Sequence, residues 1–308
     1  MTDFHPELAS ARFIPRFNVG PVLLALARRT GTKAPAAPAG MTITTPIAPA
    51  GAGAPAVPLR VYRPSSVTGE TPALLWMHGG GLVAGTAHQN EVSSIGFAQE
   101  LGITVVSVDY RLAPAHRSPS ALDDCHAAML WLLENARSLG VDPARIAVGG
   151  ESAGGGLAAA LALLLHDRKV MTPALQLLRY PMLDDRTATR TDIDPRSMRG
   201  WSPKSNVFGW TSYLGHPPGG ADVTPYEAPA RREDFAGLAP AWIGVGSLDL
   251  FHDEDVEYAR RLRAAGVACE LDVVPGAFHG FDFVFQRTEV AQAFWRSQVD
   301  ALRRALSP

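Results

Sequence analysis

A serine with glycines two residues to either side, Gly150-Glu151-Ser152-Ala153-Gly154, joins a short apolar run, Arg145 to Val148, to a helical run ending near His166. That spacing suits a tight strand-to-helix turn, because small residues two positions away leave room for a sharply bent backbone. A hydroxyl at the tip of such a turn stands over the start of a helix, where backbone N–H groups and the positive helix end can stabilise an oxyanion. The glycines alone would also fit a phosphate-cradling loop. No Gly-Lys-Ser/Thr follows, however, and Glu151 would repel an anion there. The chemistry to look for is therefore nucleophilic attack by Ser152.

A serine hydroxyl needs a base to take its proton and a carboxylate to orient that base. Of the nine histidines, His279 is best placed, in the glycine-bounded loop Gly276-Ala277-Phe278-His279-Gly280 just after the last strand-like run. Asp249 follows the preceding apolar run, Ile243 to Leu248, in the same topological position. Ser152, Asp249 and His279 thus run nucleophile, acid, base along the chain. The rivals are His252 as base and Asp253 or Glu254 as acid, although the two acids are expected to cap the next helix and meet its dipole. His88 and His116 read as packing or surface residues. A second glycine cluster, His78-Gly79-Gly80-Gly81, ends the apolar run Leu74 to Met77, so its amides can converge with that of Ala153. His78 is expected to hold that loop in shape.

The elements needed to position these groups are legible. Apolar runs at Ala73–Met77, Ile103–Val108, Arg145–Val148, Leu175–Leu178, Ala241–Val245 and Glu270–Val274 read as strands. Helical patterns at Glu91–Leu101, Ser120–Leu139, Ala153–His166, Glu254–Ala265 and Thr288–Leu306 separate or follow them. This alternation predicts one α/β domain, its mostly parallel sheet covered on both faces. A hairpin is expected around 41–47 and 57–62. Residues 1–30, with Leu8, Phe13, Phe17, Leu23, Leu24 and Leu26 at helical spacing, read as one or two amphipathic helices outside the core. Between Leu183 and Pro240 no strand pattern occurs, yet Trp201, Phe208, Trp210 and Tyr213 do. Long insertions of this kind are usually functional, such as lids. The expected division is 1–45, N-terminal cap helices and linker, then 46–308, a catalytic domain with a cap insertion at 184–235.

Composition narrows the partners. Lys and Arg total 28 against 30 Asp and Glu, and the net charge of −2 offers no electrostatic grip on nucleic acid or an anionic membrane. The expected partner is a small molecule. Two cysteines, Cys125 and Cys269, are too few for a disulfide scaffold or a zinc site, so neither a metal nor an oxidising compartment is expected. The apolar run 19–27 is too short to span a bilayer, and no secretory leader pattern is evident. A cytoplasmic location is expected.

With these residues in hand, the chain resembles the hormone-sensitive lipase-like (bacterial family IV) esterases of the α/β-hydrolase superfamily. The resemblance rests on His78-Gly79-Gly80-Gly81, Asp109-Tyr110-Arg111 with Asp124, Gly150-Glu151-Ser152-Ala153-Gly154, Asp249 with Asp253-Glu254, and His279-Gly280-Phe281. It covers roughly residues 57–285. It implies an α/β-hydrolase fold with a helical cap and a catalytic triad of Ser152, His279 and Asp249. The oxyanion hole would be the amides of Gly80, Gly81 and Ala153, with Gly79 shaping the loop. It further implies hydrolysis of short- to medium-chain carboxylic esters without a cofactor, and pairing into homodimers through the sheet edge. Leu82 stands where an aromatic is usual, Glu151 where Asp or Thr is commoner, and Leu250 where proline is usual. Two alternatives keep the scaffold: an amidase or formamidase using the same triad, and a ligand-binding homologue without catalysis. The second kind typically lacks the histidine, which this chain has at position 279.

Overall fold

Alternation along the central strands decides the layering. In the computed structural model, which describes residues 4–16, 18–21, 24, 37–51 and 55–307, Ala73, Leu75 and Met77 face one hydrophobic cluster while Leu74 and Trp76 face another. Ile146 and Val148 share the first cluster, and Ala147 the second. A strand buried on both faces must be covered on both by helices, which is the parallel α/β arrangement.

The strands are β1 (Met41–Thr44), β2 (Ile47–Ala48), β3 (Val57–Pro64), β4 (Thr71–Met77), β5 (Thr104–Val108), β6 (Val141–Glu151), β7 (Gln176–Arg179), β8 (Ala241–Gly246) and β9 (Cys269–Val274). Among the described residues they form one sheet in the order β1-β3-β5-β4-β6-β7-β8-β9, with β2 on β3. β3 is antiparallel to its neighbours, and every pairing from β5 through β9 is parallel. The α-helices are α1 (Glu91–Leu101), α2 (Ser120–Leu139), α3 (Ala153–Asp167), α4 (Pro203–Leu214), α5 (His252–Ala264), α6 (Phe281–Val284) and α7 (Glu289–Leu306). Helices α2, α3 and α5 contribute to the first cluster, and α1 and α7 to the second. No helix among the described residues is long and apolar enough to cross a membrane. Both cysteines are free, Cys125 buried in α2 and Cys269 opening β9.

The hairpin expected around 41–47 and 57–62 forms: β1 pairs with β3 from Met41 opposite Pro64 to Thr44 opposite Val61, so the sheet begins ahead of residue 46. One expectation needs correction. The N-terminal segment, expected outside the core, enters it: Pro6–Phe13 is a 3-10 helix whose Leu8 and Ala11 are fully buried, with Phe4, in the second cluster. Side chains three apart eclipse one another in a 3-10 helix, so Leu8 and Ala11 share a face. Burying Phe4 and Leu8, at ~1.5–3 kcal/mol each, fixes a turn too short to stand alone. Phe13 is exposed, and Phe17, Leu23 and Leu26 lie outside the described residues. The segment 184–235 holds 3-10 turns at Asp185–Thr189 and Pro229–Arg231 around α4, and no strand among its residues.

Candidate active site

β6 runs out through Gly149, Gly150 and Glu151, and α3 starts at Ala153, which leaves Ser152 at the turn with φ 54° and ψ −122°. A non-glycine residue in that region carries strain of ~1–3 kcal/mol and persists only where its surroundings enforce it. They do so here by close packing: a Cβ on Gly154 would lie 2.5 Å from the Met77 carbonyl carbon, so α3 begins hard against the end of β4. The Ser152 N–H donates to the Arg179 carbonyl (2.9 Å), which ties the turn to β7.

Asp249 follows β8 and His279 follows β9, and the structure brings both to Ser152. The imidazole Nε2 lies 3.0 Å from Ser152 Oγ, and Nδ1 lies 2.8 Å from Asp249 Oδ2. A carboxylate can only accept, so Nδ1 carries the proton and Nε2 is left to accept from the serine hydroxyl. Asp249 Oδ1 accepts from the Phe251 N–H (3.0 Å), which fixes the carboxylate plane. Tyr180 and Phe251 pack edge-on against the imidazole with ring centroids 4.7 and 5.2 Å away. Ser152, Asp249 and His279 are all buried.

His78 braces the glycine loop, the role expected of it. His78 Nδ1 donates to the Gly79 carbonyl (2.7 Å), and its ring stacks on Tyr110 at 4.1 Å, whose hydroxyl donates to the His78 carbonyl (2.7 Å). Burial pushes the His78 pKa down to about 4, so the ring stays neutral at neutral pH and serves as a spacer. Behind the loop, Arg111 grips Asp124 through its guanidinium and backbone N–H at 2.8–3.0 Å, and Asp109 accepts from the Ala87 N–H (3.0 Å).

The rival residues lie elsewhere. His252 pairs with Asp253 (2.9 Å), and His116 is exposed. Asp253 and Glu254 lie in the first turn of α5, where the helix dipole favours acids, but neither caps it, since α5 has no side-chain cap. Both instead hold the insertion. Asp253 pairs with Arg190 (2.7 Å), while Glu254 accepts from the Leu183 and Asp184 N–H groups (2.7 and 3.1 Å) and from Thr187.

The insertion reaches the site. A Cβ on Gly81 would lie 2.7 Å from Cζ2 of Trp201, so the indole sits directly on the glycine loop. The N-terminal segment locks onto the same region: Arg199 Nε donates to the Ala11 carbonyl (3.0 Å), Ser205 Oγ accepts from the Val19 N–H (2.8 Å), and Ser202 donates to Asn18 (2.7 Å). A cavity of about 340 Å³ lies between them, lined by Arg16, Asn18, Ile193, Met198, Trp201 and Lys204. Sequence reasoning missed Tyr180 and Arg199. The only signal for Tyr180 is its place just past the end of β7, level with the other site-bearing strand ends.

Compared with known proteins, residues 74–283 match the family described as alpha/beta hydrolase fold. The chain is a hormone-sensitive lipase-like esterase of the α/β-hydrolase superfamily. This hydrolase is 38% identical over 265 residues to the carboxylic ester hydrolase LipN of Mycobacterium tuberculosis, covering 82% of this chain and 68% of that protein. It is 36% identical over 257 residues to the ethyl acetate hydrolase of Pseudomonas putida, covering 81% and 79%. Among solved structures it superposes on a bacterial heroin esterase with a TM-score of 0.89 at 36% identity, covering 99% of each chain. These relatives are named for ester cleavage, so the amidase or formamidase alternative is not favoured.

Proposed function

We propose that this carboxylic ester hydrolase works through Ser152, with His279 as base and then acid, Asp249 as the group that orients it, and the amides of Gly80, Gly81 and Ala153 as the oxyanion hole. The observation that carries the reading is the continuous chain Asp249–His279–Ser152 at 2.8 and 3.0 Å. As Oγ attacks the ester carbonyl, its proton passes to Nε2, and Asp249 stabilises the imidazolium that forms. Negative charge collects on the former carbonyl oxygen, where the loop after β4 and the first turn of α3 supply donors. The carbon–oxygen bond then breaks, Nε2 returns the proton to the departing alcohol, and an acyl-serine remains. Water, deprotonated by the same nitrogen, attacks that ester and releases the acid and the free serine. Nothing in this cycle calls for a cofactor or a metal.

The substrate reading is a small ester with a short to medium acyl chain. The ethyl acetate hydrolase relative and the indole of Trp201 over the glycine loop support it. The insertion at 184–235, together with the N-terminal segment, would act as the cap over the strand ends. A cytoplasmic location and a homodimer formed at the free edge of β9 complete the proposal; β9 is the last strand in the sheet order among the described residues.

The test is Ser152→Ala in purified protein. We expect kcat toward a short-chain nitrophenyl ester to fall ~10⁴- to 10⁶-fold. Labelling by a fluorophosphonate should disappear and the circular dichroism should stay unchanged. Retained turnover in the folded variant would overturn the assignment.

A further inference from the structure

Below the triad lies a buried polar cluster that the cycle above does not use. Arg179, the last residue of β7, is 3% exposed and stands in register with Glu151 of β6. Its Nη1 lies 3.1 Å from Asp282 Oδ2 and 3.5 Å from Glu151 Oε2, and its guanidinium lies over the Trp76 ring at 5.1 Å. The Tyr180 hydroxyl donates to the other oxygen of Asp282 (3.0 Å). Burial, then the nearby Asp282 and Glu151 charges, push the Tyr180 phenol well above its ordinary range, so it remains a donor. On the far side Asn90 donates to Glu151 Oε1 (2.8 Å), and Trp76 Nε1 donates to Asn90 (3.4 Å).

Burying one cation with two carboxylates is a poor way to gain stability, because desolvation offsets most of the attraction; apolar side chains of the same volume would do as well. What the cluster supplies is a fixed geometry among separate chain segments. Glu151 directly precedes Ser152, and Arg179 accepts the Ser152 N–H through its carbonyl. Asp282 lies three residues past His279 in the first turn of α6, and the Tyr180 ring rests against the His279 imidazole. The serine and the histidine are 127 residues apart in sequence. The cluster is the covalent-free link that joins their two segments from beneath.

We infer that Tyr180 and Arg179 are positioning residues: together they clamp Asp282, and with it the loop carrying His279, onto the strand ends that hold Ser152. This rests on the triad reading above. The clamp has two handles of different strength. The phenol contributes one hydrogen bond to Asp282 and leaves its ring against the imidazole unchanged if the hydroxyl is removed. The Asp282 charge holds both Tyr180 and Arg179, and it lies three residues along the chain from His279.

The experiment compares Tyr180→Phe and Asp282→Asn with the parent enzyme in kcat, KM, the pH profile of kcat/KM and thermal midpoint. A displacement of about 1 Å at a reacting group costs ~10²-fold in rate. A partly released loop should therefore lower kcat ~3- to 10-fold in Tyr180→Phe and ~10- to 100-fold in Asp282→Asn, with KM within about twofold in both. In Asp282→Asn the acid limb of the profile should also move to lower pH. Losing that carboxylate leaves Arg179 uncompensated by it and disfavours the imidazolium, while Asp249 and Glu151 are untouched. In Tyr180→Phe, which changes no charge, the limb should stay in place. Variants that melt earlier but keep the parent kcat and pH profile would overturn the inference and make the cluster structural only. Ser152→Ala separates the two readings: if it is inactive while both cluster variants match the parent, the triad stands and the clamp falls.

Discussion

Gly80→Ala gives the sharpest test of the oxyanion loop. Gly80 has φ +121°, a backbone region that L side chains rarely adopt, and a Cβ there would lie 2.7 Å from the Ala84 carbonyl carbon and nearer still to its oxygen. Carbon atoms rest at about 3.5–4.0 Å, so the loop must recoil by about 1 Å. The Val83 and Ala84 N–H groups that bond the Gly80 carbonyl (3.1 and 3.0 Å) hold it in place, so the recoil turns the peptide that presents the amide. Loss of one oxyanion donor costs ~10²- to 10³-fold in kcat, or about 2.7–4 kcal/mol. The assay is steady-state hydrolysis of a short-chain nitrophenyl ester, with KM and the thermal midpoint followed alongside. We expect kcat to fall by that factor, while fluorophosphonate still labels Ser152 slowly. A folded Gly80→Ala enzyme with kcat within fivefold of the parent would refute the reasoning, since the donor would then be dispensable.

Trp201→Ala should widen the site above the glycine loop, because the indole rests on Gly81. Each further acyl methylene accommodated is worth ~0.8 kcal/mol, about fourfold in kcat/KM, so the optimum in an acetyl-to-octanoyl series should move to longer chains. An unmoved optimum would exclude Trp201 from substrate selection. Asp255 is fully buried in α5, and neither carboxyl oxygen has a partner among the described residues. Burial first, then the nearby Glu254 and Asp249, raise its pKa well above the ordinary range. The folded chain thus favours the neutral carboxyl, whose contribution is complete at low pH and fades as pH climbs through the raised value. Asp255→Asn should gain stability of ~1–3 kcal/mol, with the gain in Tm widening from about pH 5 to about pH 8. A gain independent of pH would contradict this.

Helices α1 and α2 were legible to the residue because each stops at a glycine, Gly102 and Gly140, in the left-handed conformation at φ 64° and 62°. The cluster of Ser152, Asp249 and His279, the proposed triad, was legible for a related reason: in a parallel sheet the carboxyl ends of the strands share one edge, so residues just after β6, β8 and β9 are brought together there. The burial of the N-terminal segment escaped because Leu8 and Ala11 share a face at the three-residue period of a 3-10 helix, whereas the apolar residues were read at α-helical spacing. The Arg179–Asp282 pair escaped because its members stand 103 residues apart with no pattern to join them. The use of Glu254 was hidden in the same way, since its partners Leu183 and Asp184, at the entry to the insertion, lie 71 and 70 residues away with no local rule to join them.

Ser152 is held at a backbone angle that its own side chain disfavours, and the force that holds it comes from the end of β4, the carbonyl of Arg179 and the packing beneath α3. The reactivity proposed for this position would therefore belong to the whole sheet rather than to five consecutive residues. The same pentapeptide transplanted into a loop would relax into an ordinary conformation, and its hydroxyl would be no more reactive than that of free serine.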